Sequence, residues 1–89
     1  MVTIFIRHRV ADYKAFRAVY DWLAVTRQAH NVRHDAVYQA VDDPNDVTVT
    51  HEFATIDEAK TFVASPQVQA AMKNAGVQGA PMIWFADRV

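Results

Sequence analysis

The chain has no cysteine. That removes disulfides, thiolate zinc sites, iron–sulfur clusters and a cysteine nucleophile together. Its 89 residues include only two glycines, Gly76 and Gly79, so no glycine-rich phosphate loop is present. Lys and Arg nearly balance Asp and Glu, leaving a formal net charge of −1 and no electrostatic footprint for nucleic acid. Long apolar runs are missing too. The opening Met1-Val2-Thr3-Ile4-Phe5-Ile6-Arg7 reaches a charge after a few residues, too soon for a secretory leader or a membrane span. A cytoplasmic protein without a membrane partner is the expectation. A chain this short makes one domain, residues 1–89, and buries roughly 60–65% of its unfolded surface, so outside support for its stability is welcome.

What is present is clear local punctuation. Val2 to Val10, with Ile4, Phe5 and Ile6, reads as a strand. Asp12 stands at an N-cap position before Tyr13 to His30, where Tyr13, Phe16, Val19, Tyr20 and Leu23 fall at helical spacing. Ala15, Ala18, Trp22 and Val25 are expected to widen that stripe. Asn31 suits a left-handed terminator. Val32 to Val41 reads as a second strand, Asp42-Asp43-Pro44-Asn45-Asp46 as a turn, and the alternating Val47 to Phe53 as the returning strand. Thr55-Ile56-Asp57-Glu58 matches a capping box, with both side chains expected to satisfy backbone N–H groups. Ser65-Pro66 restarts the helix and Gly76 ends it. Gly79-Ala80-Pro81 reads as a loop before a last strand, Met82 to Ala86.

The order β-α-β-β-α-β, with the second helix broken, predicts an α+β fold. Two right-handed crossovers give a ferredoxin-like split β-α-β with a four-stranded antiparallel sheet and its helices on one face. Three strands nevertheless carry large apolar residues on both faces: Ile4 and Ile6 oppose Phe5, Ile83 and Phe85 oppose Met82 and Trp84, and Val37 opposes Tyr38. Helices cover one face only. A twofold homodimer that packs sheet on sheet removes the remaining patch.

Several strings support this reading by resemblance. Arg7-His8-Arg9-Val10-Ala11-Asp12-Tyr13-Lys14-Ala15-Phe16, Asp42-Asp43-Pro44-Asn45-Asp46-Val47 and Ala59-Lys60-Thr61-Phe62-Val63-Ala64-Ser65-Pro66, continuing through Ala71 to Val77, resemble a bacterial branch of the dimeric α+β barrel superfamily. That branch is antibiotic biosynthesis monooxygenase-like. The superfamily also holds haem-degrading enzymes, polyketide cyclases and members with no assigned activity. The resemblance implies the fold and the dimeric barrel, and fold does not fix chemistry. It also implies that a haem-binding member would carry its axial histidine in the second helical region, and Thr55 to Gly76 has none. No cofactor and no metal site are expected.

Of His8, His30, His34 and His51, none has metal-site spacing with another ligand; His8 and His51, on neighbouring strands, are the pair that the sheet would bring closest. If Ile4, Ile6, Val47, Val49 and Phe53 face the helices, then Phe5, Arg7, Thr48, Thr50 and Glu52 face the open side. In a face-to-face dimer that side becomes an interior where charges need partners. Arg7 is then either a ligand-binding cation held by Glu52 or half of a structural ion pair. The candidate ligand-binding set is Phe5, Arg7, Thr50, Glu52 and Trp84, for a small aromatic or acidic ligand. Function narrows to three readings: a small-molecule-binding protein of the monooxygenase-like superfamily, a cofactor-free monooxygenase or cyclase acting on an aromatic or polyketide-like substrate, or a structural or stress-related dimer with no ligand.

Overall fold

A computed structural model describes all 89 residues. The elements run β1 (Val2–Val10), α1 (Tyr13–Trp22), α2 (Ala24–Ala29), β2 (His34–Ala40), β3 (Asp43–Phe53), α3 (Ile56–Ala64), α4 (Pro66–Asn74) and β4 (Val77–Asp87). One antiparallel sheet in the order β2-β3-β1-β4 carries the helices on one face. The ferredoxin-like topology expected from the sequence is therefore present.

Strand alternation decides the core. Ile4, Ile6, Val10, Val47, Val49 and Phe53 point at the helices and meet Phe16, Tyr20, Ala59 and Phe62. Asp12 caps α1 by accepting from the Ala15 N–H at 3.2 Å, and Thr55 caps α3 by accepting from the Glu58 N–H at 3.2 Å. Only half of the capping box forms, because the buried Glu58 Oε1 has no hydrogen-bond partner. Asn31 takes the left-handed conformation at φ 64°, and Gly76 does so at φ 82° just after α4.

Four local expectations give way. The first helix breaks at Leu23, whose N–H is shared between the carbonyls of Val19 and Tyr20, and α2 buries no residue. Ala15, Ala18, Trp22 and Val25 do not widen the buried stripe. Spaced 3, 4 and 3 residues apart, they form a stripe of their own on the outer side, with Trp22 80% exposed. The hairpin turns earlier than the Asp42–Asp46 cluster suggests: Ala40 pairs with Asp43, and Pro44 to Asp46 already belong to β3. Gly79-Ala80-Pro81 is a bulge inside β4 rather than a loop before it. Arg7 pairs with Met82 and Arg9 with Gln78, so three residues of β4 span one of β1, and Gly79 absorbs the excess at φ 70°.

Candidate functional site

The two principal cavities lie on the helix side of the sheet. The inner one, about 70 Å³, is a chamber roofed by Val19, Tyr20 and Leu23 and flanked by Phe62, Ala71 and Met72. Its floor includes Ile6, Val49, His8 and His51. Beside it, a groove of about 370 Å³ runs between α4 and β4; Ile6, Phe62, Val68 and Met72 line both spaces.

His8 and His51 are the polar residues of this core, 6% and 4% exposed, and the Nδ1 atom of each lacks a hydrogen-bond partner. A buried polar atom left unpaired costs about 1–3 kcal/mol. Burial, with the positive charge of Arg27 adding to it, pushes the His51 pKa down to about 4 against a weaker opposite pull from Asp35. Burial lowers the His8 pKa as well. Both rings are therefore neutral in physiological conditions, each offering one donor and one acceptor. They do not approach each other. His51 is opposite Ile4 and His8 opposite Val47, four β1 positions apart, or about 13 Å along the strand. No group of three His, Cys, Asp or Glu side chains is arranged to hold a metal ion.

An ordered polar cluster sits at the mouth. The Tyr20 hydroxyl donates to Asp35, and the Arg27 guanidinium lies 3.9 Å from the centre of the Tyr20 ring. Arg27 also donates to the Tyr20 carbonyl and lies 3.7 Å from Asp35. Burial and the bond to Asp35 raise the Tyr20 pKa, keeping the phenol protonated. Aromatic neighbours continue around the chamber, with ring centres 6.2 Å apart for Tyr20 and His51 and 5.0 Å for His51 and Phe62.

The residues singled out in the sequence lie on the opposite, open face. Phe5 is paired with Thr50 on one side and Trp84 on the other, and its ring stacks on Trp84 at 5.3 Å and 5°. Arg7 is one row further on. It does not pair with Glu52: its Nε and Nη2 donate to the two carboxylate oxygens of Asp46 at 3.1 and 2.7 Å. Register forbids the expected pair, since Arg7 is opposite Thr48 while Glu52 is opposite Thr3. Sequence reasoning thus assembled one face of the sheet and missed the chamber on the other. The overlooked signal was Val47, Val49, His51, Phe53: a histidine at a core position of an alternating strand.

Solved structures place this architecture among known folds. A candidate antibiotic biosynthesis monooxygenase from Bordetella bronchiseptica superposes with a TM-score of 0.84 at 16% identity, over 99% of this chain and 96% of that one. A cofactor-independent oxygenase from Streptomyces nogalater superposes with a TM-score of 0.81 at 13% identity, over 99% and 92%. A candidate antibiotic biosynthesis monooxygenase from Caulobacter crescentus gives 0.79 at 20% identity, over 99% and 89%. No protein-family model matches the sequence, and no curated protein matches it. At these identities the likeness is one of architecture, and the chain has the ferredoxin-like α+β fold of the antibiotic biosynthesis monooxygenase-like proteins.

Proposed function

We propose that this protein binds a small, mostly apolar ligand in the chamber and groove between helices and sheet. The observation that carries the reading is a neutral histidine, His51, in the wall of a space lined mainly by aromatic and aliphatic side chains. The chamber is smaller than the 150 Å³ or so that admits benzene in an engineered cavity, so a ring-sized ligand extends into the groove. A neutral histidine there accepts a hydrogen bond from a ligand hydroxyl without bringing a charge into the core. Cofactor-free oxygenation of a hydroxylated aromatic ligand is the second reading. It is favoured by the likeness to the Streptomyces nogalater oxygenase and draws its electrons from the substrate itself.

The same reading includes a homodimer in a bacterial cytoplasm. Tyr38 at 57%, Met82 at 60% and Trp84 at 42% exposure share the open face with Phe5, and a second copy would cover them. Phe5, Arg7, Thr50, Glu52 and Trp84, the ligand set expected from the sequence, then lie between the two sheets, away from the chamber. Sedimentation equilibrium at low micromolar concentration should give the dimer mass; a monomer would remove the interface.

Calorimetric titration with 2-naphthol tests the chamber. Saturable binding is expected, lost in Ala71→Leu, which fills the space, once circular dichroism shows that variant folded. Binding kept in Ala71→Leu and lost in Trp84→Ser would put the ligand on the open face and refute the reading.

A further inference from the structure

The groove beside the chamber has a lopsided chemistry. Apart from Gln69 and Lys73, its lining is apolar side chain or glycine, and no carboxylate faces it. Lys73, in the last turn of α4, takes part in none of the four ion pairs of the structure. Gln69 uses one amide N–H on the Val63 carbonyl at 3.5 Å and keeps another donor free. The chamber at the other end holds the neutral His51 and, as its one cation, Arg27, which already donates to the Tyr20 carbonyl and lies 3.7 Å from Asp35. Between the two stands Met72, which lines both spaces. Its unbranched thioether chain changes rotamer at little cost, so it can move aside for a ligand. Joined, chamber and groove fall within the usual size of a ligand pocket, about 300–1,000 Å³.

We propose that the ligand is an amphiphilic acid: a neutral hydroxyl at one end donating to His51, an apolar body past Met72, and a carboxylate at the other end held by Lys73 with Gln69 beside it. This inference rests on the chamber being the binding site and adds the class of ligand and its direction. An ionised end in the chamber would find its one cation, Arg27, already engaged by the Tyr20 carbonyl and Asp35 and the rest of the lining mostly apolar, and would lose its hydration largely uncompensated. At the groove's rim the same charge meets an unpaired ammonium and keeps part of its water. Because Lys73 is the cation without a partner, the pocket favours one orientation.

The test compares two fluorescent probes at neutral pH, 2-naphthol and 6-hydroxy-2-naphthoic acid, which differ by the carboxylate alone. In the wild-type protein the acid should bind about tenfold more tightly, the gain of one charge-assisted hydrogen bond at a partly hydrated site. Lys73→Met should bring the ratio of the two affinities to about one. Lys60→Met, which removes the same charge from the exposed side of α3, should keep it. His51→Leu should weaken both probes alike. If 2-naphthol binds and the acid binds no better, or if the acid's advantage survives Lys73→Met, the orientation is wrong while the chamber stands. If 2-naphthol itself fails to bind, the chamber reading falls and this inference falls with it.

Discussion

Replacing His51 with Leu should flatten the acid limb of the stability profile. His51 is held neutral in the folded protein, with its pKa pushed from the ordinary histidine value down to about 4. Its unfolded counterpart titrates near 6.5. Between those values the unfolded chain binds more protons than the folded one, so stability rises with pH across the window. The contribution is complete above the unfolded value and is lost as pH falls toward 4. A difference of about 2.5 pKa units corresponds to about 3 kcal/mol, which is a large share of the margin of a domain this size. His8, lowered in the same direction, adds to the slope. The assay is urea denaturation at fixed protein concentration from pH 7.5 to pH 4, since dimer formation would make stability depend on concentration. Wild type should lose stability steeply through this range and His51→Leu should lose about 3 kcal/mol less. Parallel curves for the two proteins would refute the argument, because they would mean that His51 protonates as readily folded as unfolded.

Phe53 is fully buried with its ring 5.4 Å from Phe62, so Phe53→Ala should cost about 3–5 kcal/mol in urea unfolding; a loss below about 1 kcal/mol would deny it a place in the core. A double-mutant cycle by thermal melts should find coupling between Arg7→Met and Asp46→Asn and none between Arg7→Met and Glu52→Gln, whereas coupling to Glu52 would mean that the β1–β3 register is misassigned. Tyr20→Phe should cost about 1.5–3 kcal/mol by removing a hydrogen bond to the Asp35 carboxylate. Because the folded Tyr20 pKa is raised, its contribution is present below the ordinary tyrosine value of about 10 and declines as pH rises beyond it. An alkaline limb that is the same in Tyr20→Phe and wild type would contradict this.

The fold was legible because its signals are local. Asp12, Thr55, Asn31, Pro66 and Gly76 mark element ends by chemistry that acts within a few residues, and strand alternation shows which side of β1 and β3 is buried. Register is non-local, and there the reading failed. Knowing that Arg7 and Glu52 share a face does not say that they stand two rows apart, nor that Asp46, read as part of a turn, returns to meet Arg7. The bulge at Gly79 was hidden for a related reason: Gly-Ala-Pro is good loop chemistry, and only pairing on both sides of it keeps the segment in the sheet. Charge and aromaticity drew attention to Phe5, Arg7 and Trp84. The chamber depends instead on helix packing over His51, and on the break at Leu23 that brings Arg27 over Tyr20, neither of which spacing alone reveals.

A titration of the isotopically labelled protein with 2-naphthol, followed by amide and side-chain chemical shifts, tests the central claim most directly. Binding between helices and sheet predicts the largest changes at Ile6, His51, Phe62 and Met72, with Phe5, Arg7 and Trp84 nearly still. Changes confined to Phe5 and Trp84, or none at saturating ligand, would contradict it.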